Sequence, residues 1–98
     1  MAYLTVRSKG EKAHSYFDLE RERVVLGRHE DCEFHCDDKQ LSRRHCMFVR
    51  EDGTWYIEDL GSANGTLVND ETVSGRRQLD ERDVVKVGSR RLTFHRGR

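Results

Sequence analysis

The sequence predicts an all-β sandwich, on three observations. About ten short runs rich in β-branched and aromatic residues follow one another, each bounded by turn residues. No segment carries a helical apolar period, whereas several alternate apolar and polar residues. Asp52-Gly53 stands between two of these runs, and both residues tolerate the positive φ that a tight hairpin turn requires. Ninety-eight residues suffice for one domain, residues 1–98, with a thin core.

In chain order, residues 3–6 read as a strand with Leu4 and Val6 on one face, and residues 8–12, containing Gly10, as a turn. Residues 15–19 form the next strand, with Phe17 and Leu19 inward. Residues 24–26 form a third that runs straight into Gly27-Arg28. A glycine there lets backbone pass closely, and the arginine is projected from a rigid strand end. Residues 32–36 alternate as a half-buried strand does, with Cys32, Phe34 and Cys36 on one face and His35 on the other. Residues 46–49 and 55–57 are the arms of the central hairpin about Asp52-Gly53. Residues 66–68 and 71–73 are short strands about Asn69-Asp70, and Ser74-Gly75 turns the chain again. Gln78-Leu79 adds a short pairing. Residues 84–87 and 91–94 form a last hairpin about Gly88-Ser89, and a frayed tail is expected over 95–98. The inward stripe comprises Leu4, Val6, Phe17, Leu19, Leu26, Phe34, Phe48, Ile57, Val85, Val87, Leu92 and Phe94.

The central hairpin organises the candidate site. Its arms lie side by side, so the residues before the first arm and after the second emerge at one end of the sheet. Ser42, Arg43 and Arg44 are therefore expected to face Asn64 and Gly65. That surface collects guanidinium, hydroxyl and amide donors, with Asp59 the one acid expected nearby, and suits an anion.

Four pieces stand in order: Gly27-Arg28, Ser42-Arg43-Arg44-His45, Asp59-Leu60-Gly61-Ser62 and Asn64-Gly65-Thr66. Together, in an all-β chain of this length, they resemble the forkhead-associated (FHA) domain, over nearly the whole chain. The resemblance implies an eleven-stranded antiparallel β-sandwich that reads phosphothreonine-containing segments through loops at one end. It implies that Arg28 and Ser42 contact the phosphate, that Arg43 adds a donor, and that Asn64 holds the peptide backbone. Gly27, His45 and Gly65 then shape the loops. Ala63 stands where many members carry Thr, and Asp70 where Gly is common; neither touches Arg28, Ser42 or Asn64.

The residue types fit that chemistry. A phosphothreonine carries close to two charges and three acceptor oxygens. A planar guanidinium satisfies two oxygens at once, which an ammonium cannot. Ser42 can donate from its hydroxyl, its backbone N–H, or both. In an extended segment Arg43 and Arg44 point to opposite sides, so one is expected at the phosphate, and Arg43 is chosen.

Other functions are disfavoured. With 18 basic and 18 acidic residues the net charge is zero, so bulk charge argues for neither nucleic acid nor an acidic membrane. The pairs Arg43-Arg44, Arg76-Arg77 and Arg90-Arg91 have acids interleaved and no aromatic platform, and no direct nucleic-acid binding is expected. No apolar run approaches membrane-spanning length and no secretory signal opens the chain. Three cysteines fit an intracellular thiol protein, so a cytoplasmic location is expected. Cys32, His35 and Cys36 invite a metal, but the opposed faces and about 13 Å of strand between the two cysteines argue for buried thiols, with no metal or other cofactor. His45 has no nucleophile paired with it, so no enzyme is expected. The expected partners are phosphothreonine-containing proteins, substrates of Ser/Thr kinases. A module of the same fold that docks an unphosphorylated surface remains the alternative.

Overall fold

The computed structural model describes residues 1–8, 10 and 15–97. Among the described residues eleven strands alternate with turns: β1 (Tyr3–Ser8), β2 (Ser15–Asp18), β3 (Arg23–Gly27), β4 (Phe34–His35), β5 (Cys46–Glu51), β6 (Thr54–Asp59), β7 (Leu67–Val68), β8 (Glu71–Thr72), β9 (Arg76–Gln78), β10 (Val84–Val87) and β11 (Arg90–His95). They form a six-stranded sheet in the order β2-β1-β11-β10-β7-β8 and a five-stranded sheet in the order β4-β3-β5-β6-β9. No helix of the described residues is long and apolar enough to cross a membrane.

The hairpins obey their turn residues. Asp52 and Gly53 take φ of 51° and 77°, and β5 pairs with β6 from Cys46↔Asp59 to Glu51↔Thr54. Asn69 and Asp70 repeat this with φ of 50° and 69°, so Asp70 does the work of the glycine common there. Asn and Asp are the side chains best suited to that conformation.

The inner faces meet in one core. Eleven of the twelve expected inward residues are buried, and Phe17, half-buried, packs against them. Phe17 and Phe34 stack at 4.0 Å and close the gap between β2 and β4, the edge strands of the two sheets. Val24, Leu41, Trp55, Val68, Val73 and Leu79 join the core beyond the expected stripe. Cys32, Cys36 and Cys46 are unpaired and buried, as expected, and burial pushes all three thiols up.

Three differences from the sequence reading matter. First, β4 pairs with β3 in parallel, through Leu26↔Phe34 and Gly27↔His35, inside a sandwich expected to be antiparallel. Only two of the five alternating residues pair. Beyond them the Glu33 carboxylate takes the Val25 N–H at 2.8 Å, standing in for a strand and thereby holding its own pKa low. Second, the expected turn over 8–12 falls largely outside the described residues, while Ser8 itself belongs to β1. Third, His95 does not begin a frayed tail. It closes β11, stacks on Tyr3 at 4.6 Å and lies 3.1 Å from the Glu81 carboxylate, which also accepts the Arg96 N–H at 2.8 Å.

Candidate functional site

The end of β3 meets the 41–45 segment at van der Waals contact. A Cβ on Gly27 would lie 2.1 Å from the Arg43 carbonyl oxygen, so only glycine fits. The next two residues continue the contact: the Arg28 N–H donates to the Ser42 carbonyl and the His29 N–H to the Arg43 carbonyl, each at 3.0 Å. Arg28 Nε–H donates to the Leu41 carbonyl at 3.2 Å. This fixes the plane of an exposed guanidinium while its two Nη groups have no hydrogen-bond partner among the described residues. Leu41 anchors the segment from below, 2% exposed within the core.

His45 is fully buried and ties the segment to the second loop. Its Nδ1 accepts the Ser42 N–H at 3.1 Å, so Nε2 carries the ring proton and donates it to the Gly65 carbonyl at 2.8 Å. Gly65, at φ 83°, turns its carbonyl toward that proton in a conformation suited to glycine. The Ser42 N–H is thereby occupied, which closes one of the two donor routes considered for that residue. Ser42 Oγ accepts the Ala63 N–H at 2.9 Å and keeps its own O–H.

Asp59 holds the second loop. Its carboxylate accepts the Gly61 and Ser62 N–H groups at 3.0 Å each, the Ser62 hydroxyl at 2.5 Å and the buried Thr66 hydroxyl at 2.7 Å. Burial alone would raise its pKa, but the Ser62, Thr66 and Gly61 hydrogen bonds outweigh it and hold the carboxyl below its ordinary value. Sequence reasoning took Asp59 for an acid near the anion; it is the brace of the loop. The signal was there: an Asp followed by Gly and Ser two and three residues on is an Asx-turn pattern. Asn64, exposed, donates from Nδ2 to the Gln40 carbonyl at 2.8 Å, leaving Oδ1 and one N–H unpaired among the described residues.

The structure thus brings Arg28, Ser42 and Arg43 together and sets Asn64 beside them across the Gln40 and Ser42 contacts. Arg43 shares with Arg28 an open groove of about 430 Å³, lined also by His29, Glu30, His35 and Asp37. Arg44 is absent from that lining and acts on Cys32 and Glu33 instead. Glu30 and Asp37 correct the expectation that Asp59 would be the one acid nearby. The parallel pairing of β4 folds the 28–37 segment back alongside Arg28 and brings both acids with it. Among the described residues, no group of three or more His, Cys, Asp or Glu is placed to hold a metal.

Two arginines, a hydroxyl and an amide therefore gather on the loops at one end of a β-sandwich. The FHA domain family profile matches residues 24–88, and the chain belongs to that family. It is 38% identical over 96 residues to the oxoglutarate dehydrogenase inhibitor of Corynebacterium diphtheriae, covering 98% of this chain and 66% of that protein. It is 40% identical over 94 residues to the glycogen accumulation regulator GarA of Mycolicibacterium smegmatis, covering 96% of this chain and 59% of that one. The chain therefore spans less than two thirds of the length of these curated relatives. Among solved structures, the FhaA FHA domain superposes with a TM-score of 0.85 at 26% identity, over 97% of this chain and all of that one. An FHA domain studied for phosphothreonine-dependent interactions superposes at 0.81 with 27% identity, over 95% of each chain.

Proposed function

We propose that residues 1–98 act as one phosphothreonine-recognition module, with Arg28, Ser42, Arg43 and Asn64 as its contact residues and Gly27, His45 and Gly65 as the residues that hold the loops. The observation that carries this reading is the state of Arg28. Its backbone and Nε are fastened to Ser42 and Leu41, while its Nη groups stand exposed beside Arg43. A guanidinium fixed in advance loses little freedom when a phosphate arrives. The Ser42 O–H supplies a further donor, and Asn64 offers one donor and one acceptor to a peptide unit. Each charge-assisted bond contributes about 1.5–3 kcal/mol before ordering costs, which places binding near the micromolar range, about −8 kcal/mol.

The reading is recognition without turnover: both ring nitrogens of His45, the histidine joined to Ser42, are already hydrogen-bonded. The partners are proteins phosphorylated by Ser/Thr kinases. Three unpaired buried thiols suit a reducing compartment such as the cytoplasm. Isothermal titration with phosphothreonine, phosphoserine and plain forms of one peptide tests the reading. The phosphothreonine form is expected to bind at least tenfold better than the plain form. Equal binding of the plain form would overturn it in favour of a module that docks an unphosphorylated surface.

A further inference from the structure

The residue after Arg28 is steered as Arg28 is. His29 donates its backbone N–H to the Arg43 carbonyl at 3.0 Å, and its own carbonyl accepts the Cys32 N–H at 3.1 Å. Its ring is fastened as well, because Nδ1 accepts the Asp31 N–H at 3.0 Å. With backbone and ring both held, the side chain has given up rotamer freedom before any ligand arrives. It is nonetheless 47% exposed, and it lines the groove of about 430 Å³ that Arg28 and Arg43 share.

The nitrogen left over is Nε2, and it carries a proton in either charge state of the ring. In the neutral ring Nδ1 is the acceptor, so the proton sits on Nε2. In the charged ring both nitrogens are protonated, and Nδ1 faces the Asp31 carboxylate at 3.6 Å. Nε2 has no hydrogen-bond partner among the described residues. His29 therefore brings one oriented and unused N–H donor to the groove.

The rest of the lining makes such a donor matter. Glu30 and Asp37, both exposed, share it with the two arginines and with His35. Two carboxylates repel an anion, so the net charge of the groove does little to hold a phosphate dianion and placed donors have to. The Arg28 fork can take two phosphate oxygens, and a phosphate monoester offers a third. We propose that His29 is a further phosphate ligand, donating from Nε2 to an oxygen of the bound phosphothreonine. This rests on the phosphothreonine reading and adds a residue to its contact set. The other role open to the ring is to close the 29–32 turn through Nδ1.

The two roles use different ring nitrogens, and two substitutions separate them. His29→Asn keeps an acceptor for the Asp31 N–H, since Asn oxygens accept from the backbone two residues on, and it removes the Nε2 donor. His29→Gln gives up the near acceptor and carries an amide N–H about as far out as Nε2. Parent and variants are melted and titrated with two probes, a phosphothreonine peptide and N-acetyl-phosphothreonine methylamide, which has no flanking residues. His29→Asn is expected to keep the parent melting temperature, because the position is exposed and its turn acceptor is retained. It is expected to bind both probes about fivefold or more weakly, the loss of one hydrogen bond to a charged group. His29→Gln is expected to bind both more tightly than His29→Asn. Parental binding by His29→Asn overturns the inference and leaves the ring with the turn alone. An affinity loss that follows a fall in melting temperature in both variants overturns it in the same sense. A loss seen with the peptide and not with the small probe also overturns it, by moving the contact from the phosphate to the flanking chain. Failure of the parent to bind either phosphorylated probe overturns the phosphothreonine reading and this inference with it.

Discussion

Two layers of polar groups occupy the loop end, and they are opposites. In the inner layer, His45, Asp59, Ser62 and Thr66 are joined to one another or to loop backbone by short hydrogen bonds, and His45 and Thr66 are fully buried. In the outer layer, Arg28, Ser42, Arg43 and Asn64 are exposed or half-buried, and each hydrogen bond they make steers the side chain without exhausting it. A buried polar group left unpaired costs stability, so the inner layer has to be saturated. On the proposed reading the outer layer recognises a phosphopeptide, and a recognition group gains from being oriented yet unspent. The comparison separates two kinds of substitution: those in the inner layer are expected to move the melting curve, those in the outer layer the affinity.

The largest effect is expected where the layers share a backbone contact. Gly27→Ala puts a methyl group against the Arg43 carbonyl, which cannot yield without displacing the segment that carries Ser42 and Arg43. Overpacking against backbone is expected to cost about 3 kcal/mol. Chemical denaturation should show that loss, and titration should show phosphopeptide binding lost with it. A variant of parental stability would mean that the close approach of the two segments is not a constraint on the fold.

Next comes the brace. Asp59→Ala strips acceptors from two backbone N–H groups and two hydroxyls and is expected to cost roughly 2–3 kcal/mol. Acid gives a gentler version. Because the folded Asp59 carboxyl sits below its ordinary value of 3.8, its contribution is complete above that value. It is lost as pH falls below 3.8 toward the lowered folded value, where the native carboxylate also protonates. The stability of the parent should therefore fall across that acid window more steeply than that of Asp59→Asn, measured by melts at a series of pH values. Parallel pH profiles would remove Asp59 from the account of acid stability.

The outer layer was the more legible of the two in the sequence. The Asp52-Gly53 turn fixes which residues flank the hairpin, so Ser42, Arg43 and Asn64 could be brought together on paper, and the fold does so. The inner layer was read only in part. His45 and Gly65 were assigned to loop shaping by family resemblance, and the structure joins the two by a hydrogen bond. Asp59 was misread because a carboxylate near an anion site looks like a charge until its four donors are seen. Glu30 and Asp37 were missed for a different reason. The parallel β3–β4 pairing has no turn signature, and a two-residue strand inside a five-residue alternating run leaves no boundary to read. Arg91 stands opposite Arg7 and Lys86 only in the register of three strands, which the pair Arg90-Arg91 does not show in the sequence.

The smallest stability effect and the sharpest binding effect are expected at Arg28, and that contrast tests the two-layer account most directly. The measurement is a titration of the Arg28→Lys variant with the phosphothreonine peptide, its denaturant melt recorded on the same sample. Lysine keeps the charge and loses the planar fork. Affinity is expected to fall at least about thirtyfold, the result of cutting one member of a desolvated charge pair, about 2 kcal/mol or more. The exposed side chain should leave stability within about 0.5 kcal/mol of the parent. Parental affinity would show that Arg28 is not the anchor of the phosphate, and an unfolded variant would place Arg28 in the inner layer, contradicting the account.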